Sequence, residues 1–486
     1  MYMKKWNFTA ILLAAILTAS CGTSDQTDDT TAVGADTTTK TSGYDYPDVN
    51  LDGQTIKILT ADEYWGKNVD IAVEEQSGEP LSDAIYNRNT AVEEALNCKI
   101  EDTNYEISGH LPNMITPIQK EIAAGDSTHD VMYIPANNIL AFTEEGYFTD
   151  LAGYDELQLD QPWWNSTFND VLTFGGATWG AAGDAMLMPY DGMWMIFFNE
   201  NIIEDNNMEL PYDLVREGKW TLDELYKYAT SLANLNSDES FAWKDGGSSV
   251  YGLASHWAAP DYLLFSAGND YTTKDGDKLT FTADTERFYN TVEKMTKLFG
   301  EAGTHFAAST DDFSADDGGY VYVFMNNRAA FLTAELKTAN NIRDMESAFG
   351  VVPFPKYDEK QENYRTAVSS GTLVMTIPAT SKTPETAALV MDALAYESSQ
   401  LVVPTYFDVI VEQKGLRNED SIEMLEIVKQ TCGVDMGTVG GFISDLLITI
   451  RNKTRAGDAS VASDIAAAKS AAETKMAEFL ELMGIE

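Results

Sequence analysis

Carboxylates, carboxamides and large aromatics gather where apolar runs of this chain end. Asp62, Tyr64 and Trp65 follow Thr55–Thr60, and Asn137 and Asn138 follow Asp130–Ile134. Asp191 and Trp194 stand three residues apart inside Met186–Asn199. A carboxylate accepts two hydroxyl hydrogen bonds, a carboxamide donates and accepts from one side chain, and an indole offers an apolar face. Such groups can hold a neutral, hydroxyl-bearing molecule without any covalent step. The spacings of other chemistries are missing. His110, His129, His256 and His305 are scattered singly, and Cys98 and Cys432 form no CxxC or Cys/His cluster, so no zinc site is expected. The acidic stretch Ser309–Tyr320 departs from the calcium-loop pattern and reads as a solvated loop. There is no nucleophile elbow, HExxH or phosphate loop. No metal and no cofactor are expected.

The elements that must position these residues alternate between strand and helix. Thr55–Thr60, Lys99–Tyr105 and Asp130–Ile134 read as buried strands. Ligands of open α/β sheets bind beyond the carboxyl ends of such strands, where Asp62, Tyr64 and Trp65 would sit. Pro80–Asn97 carries helical spacing at Ile85, Val92 and Leu96. Within Met186–Asn199, Pro189 and Gly192 interrupt an apolar strand and let it change direction. Thr221, with Glu224 three residues on, reads as the N-cap of a helix over Trp220–Ala233. Phe281–Phe299 reads as another amphipathic helix, and Pro384–Tyr396, Glu419–Gln430 and Asp464–Leu482 make the C-terminal region helical. Tyr406 lies in a stretch read as a connection between helices, and Phe442 stands just before another helix. Each candidate has a packing alternative. Asn137 and Asn138 suit a helix N-cap, Trp194 suits a core position, and Tyr406 either closes a cleft or packs.

Composition narrows the function. The chain has 486 residues, 44% of them hydrophobic, which is enough for a large core and more than one domain. A net charge of −45 argues against nucleic-acid binding and against attraction to anionic lipid. Residues 1–20 read as a signal peptide, with Lys4 and Lys5 before the apolar run Phe8–Leu17. Thr18–Cys21 resembles the bacterial lipobox, with Thr18 where Leu is usual, and makes Cys21 the expected lipidation site. Residues 21–49, rich in Thr, Asp, Ser and Gly, read as a tether.

Several phrases, in order, resemble the extracellular solute-binding proteins of ABC importers, in the sugar-binding branch that includes maltose-binding protein. They are FFNENIIEDNNMELP, KWTLDELYKYA, the stretch Met114–Leu151, the PWW beginning at Pro162, FMNNRAAFL and AFGVVPFPK. The resemblance implies a two-lobed periplasmic-binding-protein-like α/β fold with three interlobe crossings, at Met186–Asn199, Phe324–Leu332 and Val368–Val374. It implies lobe 1 over 50–191 and 329–370, and lobe 2 over 192–328 and 371–486. It brings Asn137, Asn138, Asp191, Trp194, His256, Trp257 and Glu335 towards a ligand, with Tyr406 and Phe442 as further candidates.

The function so implied is that of a lipid-anchored, monomeric receptor on the outer face of a bacterial cell membrane. It would capture a carbohydrate, an oligosaccharide above all, and deliver it to an ABC permease. Two alternatives remain open at this level: the same role for a peptide or polyamine, or a secreted carbohydrate-active enzyme, since counting carboxylates does not exclude a glycosidase pair.

Overall fold

The computed structural model describes residues 44, 46–61, 66–105, 112–125, 128–144, 146–241, 247–301, 306–307, 319–411, 416 and 418–485. Asp62, Tyr64, Trp65, Cys21 and most of Ser309–Tyr320 lie outside them.

Nine strands build two sheets: β1 Gln54–Ala61, β2 Cys98–Tyr105, β3 Val131–Pro135, β4 Trp194–Asn199, β5 Tyr251–Ser255, β6 Phe306–Ala307, β7 Ala329–Glu335, β8 Phe349–Pro353 and β9 Leu373–Thr376. The first sheet has the order β9-β3-β1-β2, with β1 parallel to both neighbours and β9 antiparallel. The second has the order β6-β5-β7-β4-β8, with β7 parallel to β5 and β4 antiparallel to β7 and β8. Strands β3, β4, β5, β8 and β9 are buried at every position, as expected where helices cover both faces of a sheet. Close approach is required at Gly252 in β5, where an added Cβ would lie 2.0 Å from the Ala229 carbonyl oxygen of the Leu222–Leu232 helix.

Most sequence-derived elements are present with end shifts of a residue or two. The Pro80–Leu96 helix ends at Asn97, whose φ of 51° supplies a left-handed cap. Thr221 does cap its helix, accepting from the Glu224 amide, while the Glu224 carboxylate turns to Lys227. Two expectations change. The helix read from Phe281 begins at Glu286, because Lys278–Phe281 pairs with Thr272–Asp275 as a hairpin. Tyr406 belongs to the helix Val403–Val411 and not to a connection.

The lobe boundaries also differ. Residues 329–370 were expected in lobe 1, yet β7 and β8 complete the second sheet beside β4. From 371 the chain was expected in lobe 2, yet β9 joins the first sheet beside β3. Phe324–Leu332 is therefore no crossing. It is a tight turn within the second lobe, with Asn327 at φ 56°. The chain leaves the first sheet between Met188–Asp191 and β4, returns between Thr366–Ala367 and β9, and leaves again between Val403–Val411 and the Glu419–Gln430 helix that packs on β8. An apolar pattern marks a strand as buried without saying against which sheet, so the pairing partner was not readable from it.

Candidate functional site

Strand ends of the second sheet converge on one cavity of about 1090 Å³. Antiparallel pairing sets Trp194, at the start of β4, opposite Glu335 at the end of β7. Parallel pairing sets Ser255 beside Thr333, so His256 and Trp257 emerge at the same edge. Trp194, Glu335, His256 and Trp257 line the cavity. The first lobe contributes Gly66 and Lys67, just beyond β1, and the second crossing contributes Ser369 and Ser370. Two helices complete the wall: Ala259–Ser266 brings Asp261 and Tyr262, and Ser444–Arg455 brings Leu447 and Arg451, four residues apart on one face.

The aromatic side chains form a continuous belt. Trp194 stacks on Tyr262 with ring centres 4.2 Å apart and planes 20° from parallel. His256 lies 5.1 Å from Trp194, 5.4 Å from Trp257 and 5.4 Å from Tyr320. The Arg451 guanidinium sits 4.4 Å above the Trp257 ring, a favourable cation–π geometry. Burial lowers the His256 pKa to about 4, so the ring is neutral near pH 7. Its Nδ1 accepts from the Ala258 amide, which leaves the proton on Nε2.

On the wall, Glu335 faces two lysines and Asp261 an arginine. Lys67 Nζ lies 2.8 Å from one Glu335 oxygen and Lys337 Nζ lies 3.7 Å from the other. Arg451 Nε donates to Asp261 Oδ2 at 2.7 Å, and Nη2 donates to the same oxygen. Burial raises Asp261 to about 6 even though Arg451 favours its ionised form. Burial and the neighbouring Lys67 charge lower the Lys337 pKa, against the pull of Glu335. Among the described residues no group of acidic, histidine and cysteine side chains could hold a metal ion.

Five candidates fall away from the cavity. Asp191 ends the short helix Met188–Asp191 and is buried, with Oδ2 accepting from the Asn68 amide at 2.5 Å and Oδ1 from the Tyr406 hydroxyl at 2.7 Å. That pair ties two first-lobe segments to a crossing and uses Tyr406 as well. Phe442 packs on Phe479 at 5.7 Å. Asn137 and Asn138 open the helix Ala136–Glu144, and the Asn137 amide donates to the Ser370 carbonyl at 2.9 Å. Trp163 and Trp164 both donate their indole N–H to buried Asp392. Sequence reasoning missed Lys67, Asp261, Tyr262, Tyr320, Lys337 and Arg451. Asp261 and Tyr262 had a signal: they follow His256 and Trp257 within the first turn of a helix opened by Pro260. Arg451 had none, because nothing in the sequence ties its helix to β5.

Two lobes joined by three crossings, with a cavity at the carboxyl ends of parallel strands, define a two-domain solute receptor. Residues 112–400 match the family described as bacterial extracellular solute-binding protein, and the chain belongs to that family. No curated protein matches the sequence. Solved structures with the same fold include an ABC substrate-binding protein from Listeria monocytogenes in complex with cycloalternan, 14% identical, at a TM-score of 0.54 over 90% of this chain and 100% of that one. Another is the galacto-N-biose/lacto-N-biose I-binding protein of Bifidobacterium longum, 14% identical, at 0.57 over 90% and 99%. A third is UspC of M. tuberculosis, 15% identical, at 0.58 over 87% and 100%. No helix among the described residues is long and apolar enough to cross a membrane.

Proposed function

We propose that this receptor captures a carbohydrate, an oligosaccharide rather than a single sugar, by closing its two lobes, and hands it to an ABC permease. The observation that carries this reading is the cavity wall itself, where a belt of Trp194, Tyr262, His256, Trp257 and Tyr320 borders two carboxylates, Glu335 and Asp261, that each meet a cation. Aromatic faces suit the apolar faces of sugar rings, and neutralised ion pairs suit a ligand without charge. The size fits an oligosaccharide, since about 300–1,000 Å³ already holds a drug-sized molecule. The sugar complexes of the structural relatives support the same choice. Trp194, His256, Trp257 and Glu335 are the proposed contacts. Binding to both lobes favours closure by the difference in affinity for the two states, and a permease that reads closure needs no chemistry from the receptor.

We further propose anchoring through acylated Cys21. Mass spectrometry of the membrane-extracted protein should find a diacylglyceryl group there, and Cys21→Ser should leave the chain in the soluble fraction. The ligand class is tested by thermal shift of the full chain against oligosaccharides, monosaccharides, peptides and polyamines. A ligand at about 100 times its dissociation constant adds roughly 2.7 kcal/mol of apparent stability. Stabilisation by one glycan family supports the reading, and stabilisation by a peptide or polyamine alone overturns it.

A further inference from the structure

Three polar atoms on the described wall of the cavity are buried without a hydrogen-bond partner in the protein: Asp261 Oδ1, the Tyr271 hydroxyl and Trp194 Nε1. Two further carboxylates on that wall are engaged. Glu335 pairs with Lys67, and Asp435 accepts from the Tyr271 and Thr438 amides. A buried acceptor or donor with nothing opposite is costly, most of all when it is charged. Such atoms in a ligand cavity mark where ligand atoms belong.

The three residues are contiguous. Tyr262 stacks on Trp194, and Asp261 precedes Tyr262 in the same helix. The Asp261 charge is felt by both Tyr262 and Tyr271, whose phenols burial has already raised above their ordinary values. Asp261 keeps a side-chain exposure of only 10%, and Arg451 one of 13%. Both Arg451 donors fall on Oδ2, so the carboxylate is neutralised through one oxygen while the other is buried without a hydrogen-bond partner. A carboxylate built to receive an ammonium would keep its charge unbalanced. One balanced by an arginine offers an acceptor to a neutral donor, which on a sugar is a hydroxyl. Trp194 Nε1 can only donate, and the Tyr271 hydroxyl donates or accepts. One acceptor, one donor and one group of both kinds complement neighbouring hydroxyls, each of which donates and accepts.

We propose that Asp261 is the specificity-determining acceptor of this cavity, reading a neutral ligand hydroxyl through Oδ1 while Tyr271 and Trp194 complete the subsite. Arg451 is a positioning residue, holding Asp261 in place and covering one face of Trp257. The assignment rests on the carbohydrate reading and names the atoms that would enforce it.

The test uses the full chain, with an array of neutral oligosaccharides that includes maltotetraose and lacto-N-biose, and with spermine and trialanine as non-sugar probes. Tyr271→Phe removes a hydroxyl that has no protein partner. It should leave the melting temperature of the ligand-free protein unchanged or raised and weaken glycan binding about 5- to 20-fold, whereas a merely structural hydroxyl would lower the melting temperature and not the affinity. Asp261→Asn should weaken the same glycan about 10- to 100-fold. A deoxy analogue lacking the contacted hydroxyl should lose affinity for the native protein but little for Asp261→Asn. Should Asp261→Asn fail to fold, Tyr271→Phe still decides. Glycan binding that both variants leave at native strength overturns the subsite and spares the carbohydrate reading. Binding of spermine or trialanine with no glycan bound, or of no probe at all, overturns both.

Discussion

Asp191 and Asp261 are both aspartates with little exposed side chain, yet their surroundings assign them opposite work. Asp191 has one oxygen on the Asn68 amide and the other on the Tyr406 hydroxyl, so the protein consumes its whole accepting capacity. Asp261 has one oxygen crowded by Arg451 and the other without a partner. A carboxylate filled by its own fold ties segments together, and one with an unpartnered oxygen on a cavity wall is the proposed contact for a ligand. The aromatics differ in burial. Trp194 is only 2% exposed and packs flat on Tyr262, whereas Trp257 is half-buried with Arg451 over its ring.

The comparison breaks if the filled residues govern affinity alone or the open ones govern stability alone. Trp194→Ala removes a buried indole and should cost about 4 kcal/mol of unfolding free energy. It should also weaken ligand, because Trp194 lines the cavity. Asp191→Ala strands the Asn68 amide and the Tyr406 hydroxyl and should cost about 3 kcal/mol. Urea unfolding of the ligand-free protein measures both. An Asp191→Ala protein of native stability would show that the crossing does not depend on that knot. Trp257→Ala should reverse the balance, losing about 1 kcal/mol of stability and tenfold or more in affinity by calorimetry.

Much of this division could not be read from the chain. Thr55–Thr60, Pro80–Asn97 and Glu419–Gln430 were legible because apolar periodicity and caps are local. The crossing at Met186–Asn199 was legible as a bend, but the helical turn Met188–Asp191 that aims the Asp191 carboxylate into the first lobe was not. His256 and Trp257 were found, while Asp261, a few residues on, was passed over because its meaning depends on Arg451, 190 positions away. Lys67 was missed for the same reason, its partner Glu335 lying in the other sheet. Sheet membership of β7 and β9 depends on long-range pairing that a buried apolar strand does not announce.

The smallest expected effect separates stability from binding most cleanly, through pH. Burial raises Asp102 and Asp435 to about 7 and Asp184 and Asp261 to about 6. Each of these carboxyls takes up its proton in the folded chain at a higher pH than in the unfolded chain, where aspartate titrates near ~3.9. The native state therefore binds more protons between pH ~4 and ~7, and stability rises as pH falls through that window. His256 opposes this: lowered to about 4 by burial, it stays neutral while an unfolded histidine charges near ~6.5, so its contribution falls with acidification. Glu121, held below its ordinary value by His129, acts only at more acid pH. With these four raised carboxyls set against His256, the ligand-free protein should be more stable at pH ~5.5 than at pH ~7.5. Affinity should move the other way. Arg451 and Arg455 bear on Asp261 from one helix, and Tyr262 and Tyr271 lie within reach of its charge. Once Asp261 is protonated it stops being a charged acceptor, and binding should weaken about 3- to 10-fold over the same range. Calorimetric titrations and melting curves at matched pH read the two trends separately. Stability and affinity falling together would mean that acid loosens the fold as a whole, and the contrast between Asp191 and Asp261 would lose its basis.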